Sequence, residues 1–190
     1  MRRMLKALLL TLLAYLTQVC ILPFVPIGGV VPSAIFAVVA ILTVSYGKLY
    51  AFGSSALAGI ILESMNASVT LLNVVLYPVL GLLCAQFFAD RSERQREQRQ
   101  TMGKSQRELP AHLRIVLNAA ALSLLFDAVH LVFIYLTGVD ITFLHIRRMA
   151  TEILYTAGLT AVLMAPVRLF LGMYPIRARK RRFSKGGERT

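Results

Sequence analysis

Five polar side chains lie inside or at the edge of long apolar segments of this chain: Glu63, Asn73, Asp127, His130 and Glu152. Ionisable groups at such positions are costly in hydrocarbon unless they reach water, pair with one another or contact a partner. Within their segments they follow helical spacing, in which residues three and four positions apart share a face. We therefore expect these five residues to line one polar cavity or groove that receives a partner segment or a ligand.

The same residues also allow a purely structural interpretation. Arg148 lies four residues before Glu152, and Asp127 lies three residues before His130, so each pair can satisfy its polar groups along a single helix. Glu63 can extend its carboxylate to the membrane interface. The sequence leaves open the choice between one shared site and separate local pairs.

The sequence contains no combination of residues that indicates catalysis. It has no nucleophile followed by a base and an orienting group, no glycine-rich phosphate loop and no zinc signature. Cys20 and Cys84 have neither CxxC nor Cys/His spacing, and His130 has no second imidazole or thiolate at ligand spacing. We predict a protein without enzymatic activity, cofactor or metal site, in which both thiols are free and buried.

Small residues at helical spacing predict close helix packing. Ser55 and Gly59 share a face with Glu63, and Gly81 lies in the next apolar segment. Small side chains allow membrane helices to approach closely. Pro166 is expected to kink the last helix, where packing against neighbours compensates for the lost hydrogen bond.

Composition assigns the chain to the bilayer. Of its 190 residues, 57% are hydrophobic and only 16% are charged, and the mean hydropathy is +0.66. The net charge of +12 is compatible with nucleic-acid binding. However, the Lys and Arg residues lie between and beyond the apolar segments, as topology signals do, so we predict no nucleic-acid partner.

The predicted fold is all-α: a polytopic membrane protein with six transmembrane helices in a single domain, residues 1–173. A re-entrant pair is the alternative for the short second and third spans. A polar loop (89–112) follows the fourth span, and a basic tail (174–190) ends the chain. The six predicted spans are about 4–24, 30–46, 50–64, 67–88, 113–136 and 147–173.

Cation positions predict the orientation. If both termini are cytoplasmic, every Lys and Arg except Arg147 and Arg148 lies on the cytoplasmic side. Such an asymmetry follows the positive-inside rule. Both the loop and the tail are then cytoplasmic, and the five polar residues lie in the outer half or near the middle of the bilayer.

The whole chain resembles the rod shape-determining protein MreD family of bacterial inner-membrane proteins. The third predicted helix, AFGSSALAGIILES, carries Gly59 and Glu63 where that family has a glycine and an acidic residue, commonly Asp. The last helix carries an Ala165-Pro166 step followed by Arg168, as the family's final helix does. The length and the six-span layout also agree, whereas the 89–112 loop is longer and more charged than the family pattern.

This resemblance implies a non-enzymatic component of the machinery that elongates the lateral cell wall. Its partners would be MreC, the filament protein MreB, RodA and a class B penicillin-binding protein, all acting in peptidoglycan synthesis and cell shape. The architecture is also similar to that of the substrate-binding S components of energy-coupling-factor vitamin transporters. Those proteins use an Ala-x-x-x-Ala packing motif in the first span, where this chain has Ala7, Thr11 and Ala14.

Overall fold

The computed structural model describes residues 2–65, 71–89 and 109–172, and this part of the chain is all-helical. A short 3-10 helix, Leu22–Phe24, follows the first α-helix, and an isolated bridge joins Ile27 to Val30. The α-helices are α1 (Arg2–Cys20), α2 (Ala34–Tyr46), α3 (Lys48–Met65), α4 (Leu72–Phe88), α5 (Ala111–Leu136) and α6 (Phe143–Leu171).

Within the described residues, three helical segments are long and apolar enough to cross a membrane: Arg2–Phe24, Ala111–Leu136 and Phe143–Leu171. At 1.5 Å per residue each exceeds the ~30 Å thickness of a hydrocarbon core. Large apolar side chains cover their outer faces, for example Leu13, Val132 and Leu154, each more than half exposed. These features indicate a membrane protein whose outer faces contact lipid.

The centre of the bundle is α2 rather than the glycine-rich α3. Every residue of α2 from Ala34 to Val44 is buried, and α2 contacts all five other α-helices. A helix that is apolar on all sides is stable only where it is surrounded, which explains its central place. It has 13 residues and begins at Ala34, four residues later than the predicted start of the second span.

Local sequence explains where α2 begins and ends. The Ser33 side chain accepts a hydrogen bond from the backbone N–H of Phe36 at 3.3 Å, which caps the first turn. Gly47 follows Tyr46 with φ of 91°, a conformation that glycine adopts without the strain imposed by a side chain. Because Lys48 already begins α3, α2 and α3 form a tight antiparallel hairpin.

Helices α3 and α4 approach each other through small residues. A Cβ atom added at Gly59 would lie 2.6 Å from the backbone oxygen of Asn73, and one added at Gly81 would overlap the side chain of Ser55. The Ser55 hydroxyl donates to the carbonyl oxygen of Ala51 at 2.7 Å, within its own helix. The two glycines therefore set the distance between α3 and α4.

Contacts between helix ends fix how the bundle runs. The ammonium group of Lys6 donates to the backbone oxygen of Phe170 at 2.9 Å, so the start of α1 lies beside the end of α6. Farther along the bundle, the Ser33 N–H, just before α2, donates to the hydroxyl of Thr156 in the middle of α6 at 3.0 Å. We call the end with Lys6 the basic end.

The prediction of two buried thiols is confirmed for Cys84 and wrong for Cys20, which is exposed at the end of α1. Most of the predicted loop 89–112 and the tail 174–190 lie outside the described residues.

Candidate functional site

A polar pocket of about 150 Å³ lies between the end of α5 and the beginning of α6. Asp127 and His130 reach it from α5, and His145, Arg148 and Glu152 reach it from α6. The remaining lining residues are apolar: Leu131, Ile134, Ile141 and Met149. Three of the five residues singled out from the sequence therefore meet at one place.

Helical periodicity explains this convergence. Asp127 and His130 are three positions apart on α5, and Arg148 and Glu152 are four positions apart on α6, so each pair lies on one face. The short connection from Leu136 to Phe143 brings the two faces together. On α6, His145 precedes Arg148 by three positions and belongs to the same face.

The polar groups of the pocket do not satisfy one another. In the described part of the chain, no hydrogen bond or ion pair joins Arg148 to Glu152 or Asp127 to His130. Asp127 Oδ2 and His130 Nδ1 are buried without a hydrogen-bond partner among the described residues. The local pairing that the spacing allowed is thus not formed, although unpaired buried polar atoms are costly.

Aromatic packing holds the α5 side of the pocket in place. The ring of Phe126 packs against Phe36 of α2 and Tyr77 of α4, with centroids 5.2 and 5.0 Å away. The imidazole ring of His130 also packs against Phe126, with the ring centroids 4.4 Å apart. The cluster connects α5 to the buried α2 and orients the side chains that follow Phe126 towards α6.

Glu63 and Asn73 form a separate contact away from this pocket. The backbone N–H of Asn73 donates to Glu63 Oε2 at 3.2 Å, in the first turn of α4. A carboxylate beside the first N–H groups of a helix satisfies an unpaired donor and complements the helix dipole. Glu63 is 9% exposed, and its Oε1 has no hydrogen-bond partner in the described part of the chain. Its evident role is to cap α4.

The packing residues also divide into two groups. Ser55, Gly59 and Gly81 lie in the contact between α3 and α4, as described above. Pro166 lies inside α6 but is exposed, so it faces away from the other helices. Pro166 therefore lies on the outer face of the bundle and not in a contact between helices.

The sequence analysis did not single out His145. Its Nδ1 accepts a hydrogen bond from the Thr142 backbone N–H at 3.3 Å and lies 2.8 Å from the Thr142 hydroxyl, so it forms a capping box at the start of α6. The three-four spacing of His145, Arg148 and Glu152 is the signal that could have identified it. Phe126, which orients the α5 side, carries no polar group and gave no such signal.

The lining of the pocket combines acidic, basic and apolar side chains. Among the described residues, no cluster of three or more His, Cys, Asp and Glu side chains is arranged to hold a metal ion. The pocket instead offers two carboxyl groups, one guanidinium and two imidazoles above an apolar wall. Such a lining suits a side chain that donates hydrogen bonds and has an apolar stem.

Comparison of the chain with protein-family models, with curated proteins and with solved structures finds no match.

Proposed function

We propose that the chain is a bacterial inner-membrane protein with six spans and cytoplasmic termini. The positive-inside asymmetry supports this orientation, since only Arg147 and Arg148 lie on the opposite side. The alternative of a re-entrant α2–α3 pair would leave Lys48 within the membrane. The guanidinium of Arg3 lies 5.9 Å from the ring centroid of Tyr46, so the end of α2 is level with the start of α1. This contact favours a full crossing by α2 despite its length.

Within that topology, we propose a non-enzymatic role as a scaffold of the rod-shape elongation complex. The resemblance of the Gly59–Glu63 and Ala165–Arg168 segments to the MreD family supports this assignment. The partners would be an MreC-like protein, MreB, RodA and a class B penicillin-binding protein. The cytoplasmic loop and tail would face the filament or the lipid headgroups.

The observation that carries the proposal is the unpaired polar pocket between α5 and α6. Asp127 Oδ2 and His130 Nδ1 are buried without hydrogen-bond partners among the described residues, so a group that reached these two atoms would gain hydrogen bonds. In the proposed orientation the pocket opens towards the outer leaflet. A membrane helix of an MreC-like partner, or the segment next to it, can insert a donor side chain there.

Pocket size favours a partner side chain over a vitamin-sized ligand. The volume is about 150 Å³, whereas pockets for drug-sized molecules are typically about 300–1,000 Å³. A transporter S component would require the larger cavity. We therefore prefer the scaffold role to the transport role.

Co-purification tests the proposal directly. Asp127→Asn and Glu152→Gln keep the size of each side chain but remove the acidic group. When the double variant is purified from solubilised membranes, several-fold less MreC-like protein should co-purify with it. Asp140→Asn, an exposed acid outside the pocket, is the matched control. Rod shape in cells that depend on the variant should fail in parallel. Unchanged recovery and unchanged cell shape in the double variant would rule out docking at this pocket.

A further inference from the structure

A second concave surface lies between α1 and α3 at the basic end of the bundle. This groove has a volume of about 250 Å³. Its lining is almost entirely apolar and comprises Met4, Ala7, Leu8, Thr11, Leu49, Tyr50, Gly53, Ser54 and Leu57. No residue of the groove belongs to the polar pocket at the opposite end, so the two sites are independent.

The two aliphatic hydroxyl groups in the floor of the groove donate their hydrogens within their own helices. The Thr11 hydroxyl donates to the carbonyl oxygen of Ala7 at 2.9 Å, and the Ser54 hydroxyl donates to that of Ala51 at 3.2 Å. Both hydroxyl groups are thereby used within their own helices. Gly53 leaves open space, because a Cβ atom added there would have no neighbour within 4 Å. The floor is therefore shaped for a hydrocarbon chain.

The rim of the groove is apolar and strongly exposed. Met4, Leu8 and Leu49 are 71%, 50% and 80% exposed. An acyl chain is narrow enough to lie between the two helices.

Positive charge lies at one end of the groove. Lys48 immediately precedes Leu49, which lines the groove, and is itself exposed. Arg3 lies over the ring of Tyr46, whose centroid is 5.0 Å from that of Tyr50 in the groove wall. The groove thus offers apolar walls for an acyl chain and two cations at one end for a negatively charged headgroup. These features complement an anionic phospholipid.

We infer that the α1–α3 groove binds an anionic phospholipid of the cytoplasmic leaflet. One acyl chain lies over Gly53, and the phosphate lies beside Lys48 and Arg3. The inference rests on the membrane topology proposed above, in which the basic end faces the cytoplasm, where anionic lipids attract basic residues. It is separate from partner docking, because the polar pocket lies at the other end of the bundle.

Native mass spectrometry of the detergent-purified full-length protein tests this inference. The protein is titrated with dioleoyl-phosphatidylglycerol and, separately, with dioleoyl-phosphatidylcholine. We expect one phosphatidylglycerol molecule to bind at lower concentration than phosphatidylcholine. Since each Lys or Arg near a membrane surface contributes about fivefold to the affinity for anionic lipid, Arg3→Gln with Lys48→Gln should weaken phosphatidylglycerol binding by roughly 25-fold. Arg147→Gln, at the opposite end, should leave it unchanged.

Filling the groove with a larger side chain is an independent test of the lipid site. Gly53→Leu should abolish the tight phosphatidylglycerol complex, whereas Gly158→Leu should retain it, because Gly158 is also a helical glycine with open space around its Cβ position. Circular dichroism of both variants checks that they are folded. Equal binding of the two lipids by the natural sequence, or retention of the complex by folded Gly53→Leu, would overturn the inference. If Gly53→Leu does not fold, the charge variants alone decide: an effect below twofold would refute it.

Photo-crosslinking in cell membranes separates a lipid from a protein occupant. A benzophenone side chain replacing Leu49 should form adducts with phospholipid. A defined protein adduct without lipid adducts would show that a partner helix covers the groove and would also overturn the inference. Equal binding of the two lipids, with less MreC-like protein recovered from the double variant of the polar pocket, would refute only the lipid site. Preferential phosphatidylglycerol binding, with unchanged recovery from that double variant, would refute only the docking role.

Discussion

Replacing Gly59 by alanine tests whether a glycine sets the distance between α3 and α4. The added Cβ atom would lie 2.6 Å from the backbone oxygen of Asn73, where ordinary van der Waals contact begins at 3.4 Å. The two helices must therefore separate by about 0.8 Å, because a backbone carbonyl cannot rotate away as a side chain can. Overpacking of this kind costs about 1–3 kcal/mol.

Part of that cost is offset by helix propensity. Alanine is more favourable than glycine within a helix by about 0.5–1 kcal/mol. Gly53→Ala in the same helix receives this gain without a clash, because it has no neighbour within 4 Å of the added atom. The difference in unfolding free energy between Gly59→Ala and Gly53→Ala removes the propensity contribution and should be about 1–3 kcal/mol.

The assay is reversible unfolding of the detergent-purified protein by titration with sodium dodecyl sulfate, followed by far-ultraviolet circular dichroism. Gly59→Ala should unfold at a lower mole fraction of dodecyl sulfate than the natural sequence, and Gly53→Ala at an equal or higher one. Identical midpoints for the two variants would refute the argument that Gly59 determines the packing distance.

Gly81 provides a second test of the same contact. Its added Cβ atom would overlap the side chain of Ser55 rather than a backbone atom. Gly81→Ala should therefore be destabilising alone and should regain stability when combined with Ser55→Gly. No rescue by Ser55→Gly would contradict the proposed packing.

Two further predictions concern single hydrogen bonds, measured by the same unfolding titration. Glu63→Ala should lower the free energy of unfolding by about 1 kcal/mol, because the Asn73 N–H at the start of α4 loses its acceptor. Glu63→Gln keeps an acceptor oxygen and is the control. Equal stability of the two variants would refute the capping role. Thr156→Val should lower the free energy of unfolding by about 1–3 kcal/mol, because the buried N–H of Ser33 is left unpaired. Thr160→Val is its control, since that buried hydroxyl donates only to the carbonyl of Thr156 within the same helix; equal losses would contradict the interhelical role.

Side-chain spacing predicted the local features of this fold well. The face of α3 that carries Ser55 and Gly59 was legible because small residues four positions apart mark a close approach. The grouping of Asp127, His130 and Glu152 followed from spacing on two helices joined by a short connection. These features depend on near neighbours along a helix, which a periodic pattern records directly.

Features that depend on contacts between distant segments were not predictable. Helix α2 is apolar on every side, so its sequence gives no face and does not indicate that it lies at the centre. Glu63 was expected beside Asp127, but the turn that begins α4 brings it to the N–H of Asn73 instead. Helical spacing suggested pairing of Arg148 with Glu152, yet no hydrogen bond or ion pair joins them in the described part of the chain.

The most direct test of the docking role is site-specific photo-crosslinking at the polar pocket in native membranes. A benzophenone side chain replaces Met149, which lines the pocket, and in a second strain replaces Leu154, which is on the same helix and 74% exposed. We predict a protein adduct identified as an MreC-like partner from position 149 and none from position 154. Absence of a protein adduct at 149, or equal adducts at both positions, would contradict docking at this pocket.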